Sequence, residues 1–464
     1  MRVGLMLATG FWRLFSGQTV SQGILLLTAP LFTRLYTPND WGEFVIFTAT
    51  VSVLAIFATG RYELAIPIAP TRASAASIAL GSSLLTLGFA VITGLLGFVV
   101  LLIFPNLLDV RTMRWELLPL GVALAGWAQI SYYGCIRRRQ FAQCSLSRIF
   151  QAVTTVTVQI GAFSLGSLGL QIAFLTGLIA QIAVLTVGLK TDLFAEVSRH
   201  TLMTCLHRYR AFAKYSTWSL LTQTVGLYLP AYAFSELFGS DVAGYYALSL
   251  RALQLPIHMV GTSLGQAFLA ENTKQNSNLA ENTATLFLLL LNISIPFAIG
   301  MMFWGEPLFT FVFGEQWMTS GQMAQWMGIW LAIVLIGLPI SEVLVILERQ
   351  ILSLYFNILL LFARLMCVAV GIFFHDFMLV VALLSITSAL CWSVLMVWSV
   401  RATGNSWRLF LPHKESLLWW MAVLLLSLVG RQMEGIAQLA VGGLLGALMG
   451  GYLYRLRLRY PGII

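Results

Sequence analysis

The sequence contains few charged residues. Only 10% of its 464 residues are Asp, Glu, Lys or Arg, whereas a soluble domain carries about 25%. So few charges cannot cover the water-facing surface of a chain of this length, which excludes a soluble enzyme and a disordered protein. Hydrophobic residues make up 59% of the chain and include 14 Trp and 30 Phe. This composition predicts an all-α protein that crosses a membrane many times.

Motifs of metal and nucleotide enzymes are missing as well. The chain has no HExxH motif and no P-loop, and its five Cys form no CxxC pair and have no His at metal-binding spacing. We therefore expect no enzyme activity, no cofactor, no metal and no direct use of ATP. The net charge of +9 fits basic cytoplasmic loops of a membrane protein better than nucleic-acid binding.

Fourteen apolar stretches approach the roughly 20 residues that a helix needs to cross the ~30 Å hydrocarbon layer. The predicted spans are 14–33, 44–66, 77–104, 116–134, 149–166, 170–189, 214–235, 242–269, 283–304, 322–347, 351–374, 377–400, 416–430 and 435–454. With both termini in the cytoplasm, 21 of the 27 Lys and Arg lie on the inner side and four on the outer side. This asymmetry follows the positive-inside rule and supports an even number of spans.

Two parts of the chain begin alike, as in many transporters that are built from internal repeats. Asp40 and Gly42 follow the first predicted span, and Asp241 and Gly244 follow the seventh. Both spans start on the predicted inner side. The pattern therefore predicts a parallel pseudo-repeat of two six-helix lobes, with two helices added at the end.

This repetition predicts four segments along the chain. They are an N-lobe at 1–190, a cytoplasmic amphipathic linker at 191–213, a C-lobe at 214–400 and two additional C-terminal helices at 401–464. The linker places apolar residues such as Cys205, Tyr209 and Phe212 near helical spacing among basic residues. This pattern is typical of a helix that lies in the plane of the inner leaflet, although a solvated basic loop fits it too.

Four motifs follow one another between residue 31 and about residue 364. They are LFTRLYTPNDWG at 31–42, GRYELAI at 60–66, AGYYAL at 243–248 with the Arg, Pro and Gly residues that follow it, and FGEQW at 313–317 followed by PI at 339–340 and LERQ at 347–350. Their order and spacing resemble the Wzx-type oligosaccharide flippases of the polysaccharide-export family, a branch of the MATE/MOP superfamily. Many members of that family have twelve helices, so twelve is the alternative to fourteen.

The resemblance implies a function and a location. It implies a two-lobed α-helical protein of the bacterial inner membrane that flips undecaprenyl-diphosphate-linked oligosaccharide repeat units by alternating access, for surface polysaccharide synthesis. The expected partners are this lipid-linked glycan, membrane lipids, and polysaccharide polymerase and export proteins. The alternatives are a drug/cation antiporter of the same superfamily, a membrane glycan polymerase or ligase, and a scaffold without transport activity.

Three Arg are candidates for binding the diphosphate, because charged groups inside spans usually face an interior cavity. Arg251 lies well inside the eighth span and Arg364 near the middle of the eleventh, while Arg61 lies where the second span nears the cytoplasm. A structural role competes at each position. Arg251 could pair with a helix carboxylate, Arg364 could tether its lobe to Glu342, and Arg61 could be a juxtamembrane anchor.

Two carboxylates are candidates for gating or ion coupling. Glu63 and Glu342 are the acidic residues placed within spans and away from the outer surface. Arg61 and Glu63 are two residues apart, and side chains at this spacing on a helix do not face each other. The sequence therefore predicts a separate partner for each of them, and Glu342 is favoured as structural.

Two further sets of residues have a simpler interpretation. Arg34 and Asp40 are expected to be a helix-end anchor and a turn former. Arg137, Arg138 and Arg139 form the densest basic cluster in the chain. They are expected to determine topology and to contact anionic lipid of the inner leaflet.

Overall fold

The computed structural model describes residues 17, 20–25, 27–103, 115–189, 198–210, 212–272, 278–347, 350–403, 414–431 and 451. Within these residues the chain forms helices and turns and contains no β-strand. The predicted all-α fold is confirmed.

Fifteen α-helices are found within the described residues. They are α1 (Val20–Leu35), α2 (Pro38–Thr59), α3 (Arg72–Ile103), α4 (Leu118–Arg137), α5 (Phe141–Gly161), α6 (Ser167–Leu189), α7 (Arg199–Arg208), α8 (Thr217–Phe238), α9 (Ser240–Asn272), α10 (Leu279–Phe313), α11 (Met318–Ile340), α12 (Glu342–Ile346), α13 (Gln350–Phe374), α14 (Phe377–Ala402) and α15 (Lys414–Arg431).

Thirteen of these helices coincide with predicted spans, and the remaining two, α7 and α12, are short. Apart from residue 451, the fourteenth predicted span, 435–454, lies outside the described residues, as do linker residues 191–197. Several boundaries differ from the prediction by several residues; for example, α10 ends at Phe313 rather than near 304. Helix α2 runs over 38–59 rather than 44–66, and α5 begins at Phe141 rather than near 149.

Seven helical segments in the described part of the chain are long and apolar enough to cross a membrane, with mean hydropathy between 1.8 and 2.3. They are Pro38–Thr59, Arg72–Val100, Ser167–Val187, Leu279–Phe313, Glu315–Leu344, Tyr355–Phe374 and Phe377–Ala402. The protein is therefore a multi-pass membrane protein. Helices α4, α5, α8 and α9 have a suitable length but are not among the seven, so their membrane crossing stays a prediction.

The chain divides into two compact units, Met1–Gly244 and Tyr245–Ile464. In the first unit, Phe47 of α2, Leu118 of α4 and Leu175 of α6 pack together in a buried cluster. The predicted lobe boundaries at 190, 214 and 400 stay a prediction.

The second unit has its own packed core. Helix α10 lies against α11 and α15, and α11 also lies against α14. Trp304 of α10 packs with Val423 and Trp419 of α15, which places the first of the two predicted additional helices on α10. The side chain of Trp317, at the turn between α10 and α11, is completely buried.

The two turns that suggested a repeat meet inside the first unit. A Cβ atom at Gly42 would lie 1.8 Å from the carbonyl oxygen of Ser240, and one at Gly244 would lie 1.9 Å from that of Pro38. Only glycine permits such a close backbone approach. The Gly of each turn therefore allows the start of one helix to pack directly on the start of the other.

Helix α7 lies in the predicted linker and packs on protein. Cys205 is buried in a cluster with Ile66 and Ile78, and Tyr209 and Phe212 pack against the same cluster. The apolar stripe that the sequence assigns to the inner leaflet is therefore covered in part by the first unit. His207 and Arg208 of α7 are exposed.

Candidate functional site

The first candidate site lies in the turn between α2 and α3. Gly60 ends α2 in the left-handed conformation (φ 55°), and Arg61 follows with φ 59°. A left-handed residue other than Gly, Asn or Asp is uncommon, and such strained positions often mark functional sites. A short 3₁₀ helix, Tyr62–Ala65, comes next.

This break in the helix brings Arg61 and Glu63 together. Nη1 of Arg61 donates to Oε1 of Glu63 at 3.2 Å. The prediction that the two side chains need separate partners is wrong, because it assumed that α2 continues through residue 66. Once the backbone turns at Gly60, a spacing of two residues no longer points the side chains apart.

The Arg61–Glu63 pair has little contact with solvent. The side chain of Glu63 has no exposed surface, and that of Arg61 is 15% exposed. Within the described part of the chain, Oε2 of Glu63 and Nε of Arg61 have no hydrogen-bond partner. Glu63 lies beyond the end of the span Pro38–Thr59. Burial raises the pKa of its carboxyl above the usual value, and the Arg61 guanidinium partly opposes this rise.

Helix α4 supplies aromatic neighbours to this turn. Tyr133 packs against the cluster that contains Ile66, and it lies close enough to Arg61 and Glu63 to feel both charges. Its neighbour Tyr132 lies under the Arg148 guanidinium, whose carbon is 5.1 Å from the ring centroid. Sequence reasoning missed both tyrosines, because a tyrosine in an apolar helix carries no signal for a polar site.

Arg137, at the end of α4, contacts the same turn. Its Nη1 atom lies 2.6 Å from the carbonyl oxygen of Ala69, 3.0 Å from that of Ile66 and 3.4 Å from that of Pro67. Its Nη2 atom lies 3.0 Å from the carbonyl oxygen of Thr71. The sequence predicts lipid contact for this residue, whereas the structure directs its guanidinium to backbone carbonyls of the chain.

The second candidate site lies around Arg364 in α13. The Arg364 side chain is 9% exposed, and its guanidinium carbon lies 5.8 Å from the ring centroid of Trp330 in α11. Tyr246 and Cys391 are close enough to interact electrostatically with the guanidinium. A buried cation over a Trp ring is stabilised by roughly 0.5–2 kcal/mol.

The predicted tether between Arg364 and Glu342 is not formed in the described part of the chain, where no ion pair joins the two side chains. Glu342 is the first residue of the short helix α12 and is partly buried. Its Cγ atom would lie 3.6 Å from a Cβ atom at Gly265 of α9. Glu342 therefore packs beside α9 rather than beside Arg364.

Arg251 lies in the first half of α9 and is half-buried. This placement agrees with the predicted position well inside a helix.

Farther along α9, residues 261–265 read Gly-Thr-Ser-Leu-Gly, a match to the GxSxG pattern of serine hydrolases. That motif functions at a sharp strand-to-helix turn, whereas here it lies in the interior of a helix.

The turn between α1 and α2 has the structural role that the sequence predicts. The Thr37 side chain accepts a hydrogen bond from the Asp40 N–H, and the Asp40 carboxylate accepts one from the Thr37 N–H. This reciprocal capping box starts α2. Arg34 lies exposed at the end of α1.

Comparison with known proteins gives one family. The model of the family described as polysaccharide biosynthesis protein matches residues 31–322, which is more than half of the chain. Among individual proteins, the teichuronic acid biosynthesis protein TuaB of Bacillus subtilis (strain 168) is 24% identical over 113 residues. This match spans 24% of the chain and only 23% of that relative's length.

Solved structures share the fold over most of the chain. The lipid II flippase MurJ in an inward closed conformation has a TM-score of 0.74 at 13% identity, covering 96% of this chain and 99% of that one. An inward-facing multidrug resistance MATE family transporter has a TM-score of 0.57 at 16% identity, covering 82% and 95%. A MOP superfamily transporter from Pyrococcus furiosus has a TM-score of 0.55 at 14% identity, covering 86% and 96%. These similarities establish a shared fold.

Proposed function

The chain belongs to the polysaccharide biosynthesis protein family, and we propose that it is a flippase for lipid-linked oligosaccharides. Its substrate would be an undecaprenyl-diphosphate-linked repeat unit, moved across the bacterial inner membrane by alternating access for surface polysaccharide synthesis. Family membership bears out the resemblance read from the motifs, and the fold shared with a lipid II flippase supports this class of substrate.

The observation that carries the proposal is the buried guanidinium of Arg364 within an apolar span. Moving a diphosphate through hydrocarbon without compensating charge would cost far more than thermal energy. A fixed cation in the pathway removes part of this cost, and a guanidinium matches the planar geometry of phosphate oxygens. Arg251 and Arg61 are proposed as further cations for the diphosphate.

The carboxylates have different proposed roles. Glu63, buried against Arg61, is proposed to act in gating or ion coupling. The same role is proposed for Glu342, although its position beside Gly265 also fits a structural function. A drug/cation antiporter would place carboxylates rather than guanidiniums in the pathway, so the buried Arg364 favours the flippase.

The proposed location is the inner membrane with both termini in the cytoplasm. Reporter fusions at Arg139, Gly239 and Ile464 test this topology. We expect inside signals at Arg139 and Ile464 and an outside signal at Gly239. An outside signal at either of the first two positions would contradict it.

The substitution Arg251→Ala tests the function in cells. We expect loss of surface polysaccharide and accumulation of the lipid-linked oligosaccharide, with normal amounts of protein in the membrane. Arg251→Lys keeps the charge but not the planar geometry and should restore part of the export. Arg431→Ala, at the exposed end of α15, is the control and should export normally. Normal export by a well-inserted Arg251→Ala variant would reject this role of Arg251.

A further inference from the structure

One guanidinium holds four carbonyl groups of the segment between α2 and α3. Arg137 reaches the carbonyl oxygens of Ile66, Pro67, Ala69 and Thr71, at distances of 2.6 to 3.4 Å. These acceptors lie 66 to 71 residues away in the sequence. The contact is therefore tertiary and links the end of α4 to one short segment, residues 66–71, which we call the carbonyl turn.

Most of the carbonyl turn lies outside any regular helix, although the Thr71 carbonyl also accepts from the N–H of Ala75. It follows the 3₁₀ helix and precedes α3, so most of its carbonyls have no position in a regular helical ladder. Ile66 and Ala69 are buried, and a buried carbonyl without a donor is unfavourable. Arg is suited to this task because its guanidinium carries five N–H donors in one plane and no acceptor.

A continuous chain of hydrogen bonds leads from Arg137 to the buried ion pair. Arg137 donates to the carbonyl of Ile66, the N–H of Ile66 donates to the carbonyl of Glu63, and the Glu63 carboxylate accepts from Arg61. Arg61 has a left-handed backbone, so a regular helix does not set the direction of its side chain. Contacts from outside the turn must therefore hold the pair in place.

The other two arginines of the basic cluster provide the contrast. A topological signal depends on positive charge near the helix end, and Arg137, Arg138 and Arg139 supply it equally. Arg137 donates hydrogen bonds to the carbonyl turn, while Arg139 is exposed. Removing Arg139 therefore removes the same charge without touching this turn.

We propose that Arg137 is a positioning residue for transport, which holds the carbonyl turn so that the Arg61–Glu63 pair keeps its place. The proposal rests on the proposed function, because it assigns the pair a role in flipping. Two kinds of measurement on the full chain test the two parts separately.

Hydrogen exchange of the backbone amides at residues 62–71, followed by mass spectrometry, tests the positioning itself. Arg137→Ala should speed exchange in this segment by about tenfold or more, because several hydrogen bonds that keep it closed are lost. Arg137→Lys should restore part of the protection, and Arg139→Ala should match the wild type. Wild-type exchange in a folded Arg137→Ala variant overturns the proposal, as does equal acceleration in Arg139→Ala.

A double-mutant cycle of flipping rates tests whether Arg137 affects transport through the Arg61–Glu63 pair. The probe is undecaprenyl diphosphate that carries a short fluorescent oligosaccharide, in vesicles with Arg137→Ala, Glu63→Gln and the double variant. If Arg137 acts through the pair, each single variant slows flipping and the double variant is no slower than the slower single one. Losses that multiply overturn the proposal. A wild-type protein that does not move the probe overturns the proposed function instead, and the exchange measurement still decides whether Arg137 holds the turn.

Discussion

Two arginines with little exposed surface, Arg61 and Arg364, are stabilised in different ways. Arg61 lies in an irregular turn and pairs with the carboxylate of Glu63, two residues along the chain. Arg364 lies inside a regular span and rests over the Trp330 ring of another helix. The turn can fold a carboxylate back onto its neighbour, whereas a straight helix directs a side chain toward adjacent helices.

This difference suggests different tasks. A carboxylate neutralises most of the charge of Arg61 and leaves a pair that protonation can alter. An aromatic ring leaves the positive charge of Arg364 in place, where it can still attract an anion. We therefore expect Arg364 to contribute more to binding the diphosphate and Arg61 more to the conformation of the protein.

The largest expected effect follows removal of the Arg364 charge. Arg364→Leu keeps an apolar side chain in the span and should lower surface polysaccharide export by about tenfold or more, since a buried charge-assisted contact is worth about 1.5–3 kcal/mol. Export normalised to the amount of protein in the membrane is the measurement. Trp330→Phe retains an aromatic face and is the matched control. Unchanged export by Arg364→Leu would mean that this cation serves packing alone.

Replacing Arg61 tests how much its ion pair with Glu63 contributes to stability. Arg61→Gln leaves the Glu63 carboxylate buried without its ion partner and should destabilise the folded protein by about 3 kcal/mol. The double variant Arg61→Gln/Glu63→Gln removes both charges and should recover much of this loss. Thermal unfolding of the purified protein measures both changes. A double variant that is less stable than Arg61→Gln would show that the unpaired Glu63 carboxylate does not cause the loss of folding stability.

The turn itself can be altered without changing any charge. Gly60 has φ 55°, so Gly60→Ala should cost about 1–2 kcal/mol, because a Cβ atom is strained in the left-handed conformation. Gly300→Ala in α10 is the control, since a Cβ atom there meets nothing within 4 Å. The control should be neutral or slightly stabilising. Equal unfolding temperatures for the two variants would contradict the strained turn.

The smallest expected effect is a dependence on pH. Burial raises the pKa of Glu63 above its usual value of 4.5, so the folded state holds the proton more tightly than the unfolded state does. The stability from this group is fully present below pH 4.5 and is lost as the pH rises through the folded-state pKa. The unfolding temperature of the wild type, relative to Glu63→Gln, should therefore fall over this window. If the unfolding temperature of the wild type minus that of Glu63→Gln stays constant or increases with pH, the raised pKa of Glu63 is contradicted.

The helices were largely predictable from the sequence. Long apolar stretches with rare charges decide where a chain crosses a membrane, and the bounds of α6 and α14 agree with the predicted spans within a few residues. Helix ends were less predictable. The predicted second span continues through residues 60–66, whereas the left-handed backbone of Gly60 and Arg61 follows the end of α2 at Thr59.

The candidate sites were predictable only in part. Arg364 was found because a charge within a span is rare, but its neighbour Trp330 lies on another helix and shares no sequence pattern with it. The Arg61–Glu63 pair was missed because helix geometry was assumed where the helix has ended. The contacts of Arg137 have no sequence signature, since any residue can offer a backbone carbonyl and only the tertiary fold brings four of them to one side chain.

Flipping by the purified protein is the most direct test of the account. The protein is placed in vesicles with undecaprenyl diphosphate that carries a fluorescent oligosaccharide, and a membrane-impermeant quencher reports the fraction of head groups on each side. We predict that the wild type moves the head group across the bilayer and that Arg364→Leu does so at least about tenfold more slowly, while Arg431→Ala matches the wild type. A wild-type protein that leaves the head group on its original side, as empty vesicles do, would contradict the central claim.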